Sequence, residues 1–132
     1  MTPAALRALT HLMDARKARD LARLDRLLTE DRRLVEEIAT LAATGSRDLA
    51  EGPLPLAEQG RRLAWSAARI RAAERRRRQL AAEIHIARAE AEQSLGKHKA
   101  LEHLTDRADR AAAHQREARA EREAPPPGRQ PG

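Results

Sequence analysis

The stretch Thr44–Gly60, TGSRDLAEGPLPLAEQG, gathers Gly45, Gly52, Pro53, Pro55 and Gly60 into one short interval. Almost nothing on either side of it could stop a helix. Pro3 stands where a helix would start, and its missing N–H is harmless there. The next prolines, Pro125, Pro126 and Pro127, come only near the end. One break between two uninterrupted arms predicts an all-α fold: an antiparallel two-helix coiled-coil hairpin. Helix 1 is expected over about residues 3–44, the break over 45–60 and helix 2 over about 61–123, which makes the second helix the longer. Gly45 is expected to end the first helix as its C′ residue. The hairpin would fill residues 1–123, and the Pro-rich residues 124–132 read as a disordered C-terminal tail.

Composition supports this reading. The chain has 132 residues, enough for one small domain, and its 41% hydrophobic share is mostly Ala and Leu. It holds one Trp, no Phe or Tyr, and few β-branched residues, so a sheet is excluded. High Ala, Glu, Leu and Arg with helical periodicity is the composition of a long helix or coiled coil. There is no cysteine, which removes disulfides and thiolate metal sites and fits a reducing cytoplasm. No apolar run reaches the roughly 20 residues needed to span a bilayer. Arg7, Asp14, Arg16 and Lys17 interrupt the first segment, which therefore reads as neither signal peptide nor anchor.

In the first arm the apolar stripe runs Leu21, Leu24, Leu28, Asp31, Val35, Ile38, Ala42, with alternating steps of three and four. That is a heptad seam in which only Asp31 is out of place. Leu27, Leu34 and Leu41 lie beside it and widen the face, which suits a helix with more than one neighbour. Before Leu21 the steps Leu9, Met13, Lys17, Leu21 read as a stutter. The second stripe, Leu56, Leu63, Ile70, Leu80, Ile84, Ala87, Ala91, Leu95 and Leu101, is poorer in bulk. If the arms fold back antiparallel, Pro3 should lie near residues 98–100, leaving the helix beyond Leu101 and Leu104 without an intramolecular partner.

Net charge is +6, and it is local: residues 61–78 hold eight basic residues against one acidic, +7. No site for chemistry stands out. His11, His85, His98, His103 and His114 include no pair at spacing three or four, so they read as exposed helix histidines. Phosphate loops and nucleophile elbows are absent. Carboxylates interleave with arginines at i, i+4, as in Arg32–Glu36, Arg33–Glu37, Glu74–Arg78, Arg88–Glu92 and Asp106–Arg110, which supports helix surfaces rather than acid–base work. We expect no catalytic activity, no cofactor and no metal.

The strongest local signal is Arg75–Arg78, with Arg61, Arg62, Arg69 and Arg71 nearby. Four consecutive arginines surround most of a helix, so Arg77 should crowd the seam. The cluster reads as a solvated run, a contact for an acidic protein surface, or a nucleic-acid backbone contact. Trp65 is the only aromatic that could stack on a base, and the absence of others and of any recognition motif argues against nucleic acid. Trp65 lies within this group, and Trp65, Arg69, Ala72 and Arg76 fall on one helical face.

Length, hairpin layout and charge style over about residues 5–123 resemble the flagellar FliJ family and its type III secretion stalk relatives. The closest passages are RRLAWSAARIRAAERRRRQL and GKHKALEHLTDRADRAAAHQREARAE. The resemblance implies a small cytoplasmic antiparallel coiled coil, peripheral to the inner membrane through the export apparatus. It also implies the hexameric export ATPase, the cytoplasmic domain of the export gate and export chaperones as partners. A gate-contact face near the start of the second helix would fall on Trp65, Arg69, Ala72 and Arg76. Arg69 and Arg76 depart from the family pattern in size and charge, and the break is longer than a tight turn. The alternatives are a basic helical nucleic-acid binder and a coiled-coil scaffold that dimerises through the wide face of the first helix.

Overall fold

The computed structural model describes residues 2–50 and 55–124, the side chains of 47–50 apart. It is a helical hairpin whose second helix is the longer: α1 spans Pro3–Ala50 and α2 spans Leu56–Glu123. No strand occurs among the described residues. At the first helix end, Thr2 Oγ1 accepts a bond from the Ala5 amide at 3.1 Å, so Thr2 caps the helix and Pro3 takes the first helical position. At the other start, the Pro55 carbonyl accepts from Glu58 and Gln59 at 2.9 and 3.0 Å. Glu58 in that first turn complements the helix dipole and pairs with Arg62 at 3.6 Å. The expected tail over 124–132 lies outside the described residues except for Ala124.

Both helices run further toward the break than expected. Gly45 does not end α1, and Gly60 lies inside α2. A single helical glycine costs only about 1 kcal/mol, which the rest of a long helix offsets. A Cβ built on Gly45 would meet Leu63 Cδ2 at 4.0 Å, an ordinary contact. Gly45→Ala should therefore raise stability by about 0.5–1 kcal/mol in a thermal melt. A C′ glycine in the left-handed conformation would give the opposite sign.

Among the described residues, packing separates 2–17 with 94–124 from 18–93. In residues 18–93 the antiparallel pairing is seen directly, since Glu30 meets Arg76 while the later Glu37 meets the earlier Arg69. Here α2 buries Ala73, Leu80, Ala87 and Ala91, and α1 presents Leu24, Leu27, Asp31, Leu34, Ile38, Leu41 and Gly45 half-buried, with Asp20 buried. The seam of α1 is thus Asp20, Leu24, Leu27, Asp31, Leu34, Ile38, Leu41. It corrects the expected register: Leu24, Asp31 and Ile38 are shared, but Leu27, Leu34 and Leu41 replace Leu28, Val35 and Ala42. Leu21 and Val35 are exposed. On α2, Leu56 and Leu63 are also exposed, contrary to the expected stripe.

In the other unit, Leu6, Thr10, Met13 and Lys17 of α1 are half-buried, and Ser94, His98 and Leu101 of α2 are buried. Steps of four and three continue along α1 from Leu6 to Leu24, so there is no stutter. Its appearance came from substituting Leu21 for the polar seam residue Asp20. Asp14 faces His98, which places the partner of Pro3 beyond residues 98–100. The reason is the extent of the helices: only residues 51–55 separate them. Thr105 is still half-buried, and from there to Glu123 only Ala113 and Ala118 are half-buried, the rest being exposed.

Candidate functional site

The face proposed from the sequence begins at Trp65, which is 59% exposed. Its ring is covered on one side by the Arg69 guanidinium, 5.3 Å from the centroid, a cation–π contact. Ala72 is exposed as well. Arg69 and Arg76 are not free on this face. Arg69 donates to Glu37 at 2.9 Å. Arg76 binds Glu30 through two parallel bonds of 2.8 and 3.1 Å, and lies 3.5 Å from Glu83. The structure therefore joins Trp65 and Ala72 in one exposed strip and turns the two arginines toward α1.

The arginine run is divided by the same packing. Arg77 sits on the seam side, as its crowding suggested, and donates to Asp31 at 2.9 Å. Asp31, the acid that interrupts the stripe read from the sequence, thus has its counter-ion across the hairpin. Arg71, Arg75 and Arg78 lie on one outer face at spacings of four and three and have no ion-pair partner among the described residues. Arg23 pairs with Glu90 at 2.8 Å. Ion pairs thus run between the helices as well as within them, and none of the five interleaved i, i+4 pairs read from the sequence forms among the described residues. Glu30, Asp31 and Glu37 were missed as partners because pairing across helices depends on a register that spacing within one helix does not contain.

Hydrogen bonding from Arg76 holds the Glu30 carboxyl below its ordinary value, and the same bond raises the Arg76 guanidinium. The bond to Asp31 likewise raises Arg77. A carboxyl depressed by folding adds stability above its unfolded pKa and loses it as pH falls through the folded one. The melting-temperature difference between the wild type and Glu30→Gln should therefore be constant at neutral pH. It should shrink as pH falls below about 4.5, the ordinary value for this group. A difference that stays constant down to acid pH would show that the pair contributes nothing.

His98 departs from the expectation of an exposed histidine. It is buried on the seam side, its Nε2 meets Asp14, and its Nδ1 lies 3.5 Å from Glu102. His11, His85, His103 and His114 are exposed. Among the described residues no group of three or more His, Cys, Asp or Glu side chains could hold a metal ion, and no helix is long and apolar enough to cross a membrane. Comparison of the chain with protein-family models, with curated proteins and with solved structures gives no match. The fold and site define a helical-hairpin protein with an exposed tryptophan strip on its second helix.

Proposed function

We propose that the chain is a non-enzymatic stalk or adaptor of a flagellar, type III protein export apparatus. In this reading it joins the hexameric export ATPase to the cytoplasmic domain of the export gate at the inner membrane, with export chaperones as further partners. Trp65 carries the reading. The one aromatic side chain of the protein is 59% exposed near the start of α2, where an interface hot spot would use it. A hairpin with a long exposed extension of α2 fits a two-ended linker, and the sequence resemblance supports the same assignment.

The test is direct binding of the purified protein to the export ATPase and to the gate domain. Affinities on the order of micromolar are expected for both. Trp65→Ala should weaken the gate and leave the ATPase unchanged. This variant is preferable to Arg76→Glu, which would also break the Glu30 pair and disturb the hairpin. Binding to neither partner overturns the proposal. The nucleic-acid alternative would instead show affinity that falls steeply with salt. It has fewer cations available, since Arg69, Arg76 and Arg77 are engaged within the chain.

A further inference from the structure

The two flanks of the hairpin in residues 18–93 are unlike. One is laced by the Arg69–Glu37, Arg76–Glu30 and Arg23–Glu90 pairs. On the other, α1 carries Leu21, Leu28 and Val35 one heptad apart, with Leu21 38% and Val35 44% exposed. Beside this column lies an open groove of about 670 Å³, with Leu28, Ala81 and Ile84 among its lining residues. Arg78 and Arg88 stand at its rim without an ion-pair partner among the described residues, against one further acid, Glu74, whose charge acts on Arg77. Asp31 and Arg77, which also line it, neutralise each other.

A column of aliphatic side chains at heptad spacing, exposed at Leu21 and Val35 and half-buried at Leu28, is what a docking helix reads. Cationic edges on such a groove select an acidic partner, and they disfavour a second copy, whose rim carries the same sign. We propose that this flank docks an amphipathic helix of a partner protein, with its apolar face on Leu21, Leu28 and Val35 and an acidic edge on Arg78 and Arg88. This surface is separate from the Trp65 strip, which shares the other flank with Arg69 and Arg76, so the inference stands whether or not the export reading holds.

The test uses two designed four-heptad helices with the same leucine face, one flanked by glutamates and the other by lysines, labelled for anisotropy titration against the full chain. The acidic helix is expected to bind at least about tenfold tighter than the lysine helix, an advantage that shrinks with added salt. Arg78→Glu/Arg88→Glu should remove most of that preference, and Leu28→Asp should weaken binding of the acidic helix, with circular dichroism confirming that both variants stay helical. Arg107→Glu/Arg110→Glu, far along α2, should change nothing. Equal binding of the two helices, no binding of either, or an equal loss in the remote variant overturns the proposal. So does concentration-dependent dimerisation in sedimentation that Leu28→Asp abolishes, because the groove would then belong to a second copy.

Discussion

Leu80→Ala is expected to destabilise the hairpin by about 2–3 kcal/mol and to lower its melting temperature by roughly 10 °C. Leu80 is the one large side chain with no exposed surface among the described residues. Other buried apolar positions on α2 are Ala73, Ala87, Ala91 and Leu101, so little neighbouring bulk is available to close the cavity that truncation would leave. A two-helix interface has no third layer to supply it either. Ile86→Ala, on the same helix but with Ile86 52% exposed, should stay within about 0.5 kcal/mol of the wild type. Equal effects at the two positions would mean that α1 does not cover Leu80.

The contrast between Leu80 and Ile86 illustrates what could be read from the sequence. Helix breakers are confined to one interval, so two helices and a reversal follow with few alternatives. Positions inside the helices were harder. Leu21 and Val35 look like core because they are apolar at heptad spacing, yet the seam runs through Asp20 and Leu34 instead. Apolar pattern alone cannot choose between two adjacent columns when both are rich in leucine and the true one begins with Asp20. What decides is the partner across the hairpin: the Arg76–Glu30 and Arg69–Glu37 pairs fix the flank beside the seam. Buried polar residues commonly set coiled-coil register at some cost in stability. His98 is the same case, legible as a histidine on a helix but not as one buried against Asp14. For the Trp65 face, helical spacing puts four residues on one side of α2, but it does not show that Arg69 and Arg76 are engaged with Glu37 and Glu30.

Ala87→Leu is expected to destabilise by about 1–3 kcal/mol, although heptad pattern alone would recommend it. The two readings of the alanine-rich stripe differ in sign here. If alanines left the seam underfilled, an added leucine would bury more apolar surface, at about 25 cal/mol per Å², and stabilise the fold. Ala87 is only 1% exposed, and Ala73 and Ala91 are 5% and 3% exposed, so α1 already covers these small side chains closely. A larger side chain must then force the helices apart or adopt a strained rotamer, and Leu80, one heptad before Ala87, would lose its close contact as well. The Arg76–Glu30 bonds of 2.8 and 3.1 Å are also set by the interhelical distance and would lengthen. Ala81→Leu, at an exposed position on the groove flank, should cost less than about 0.5 kcal/mol and is the matched control. Denaturant midpoints for the pair decide between the readings. A rise for Ala87→Leu would mean that bulk limits this seam, and a fall that its small residues hold the helices in the close approach on which the ion pairs depend.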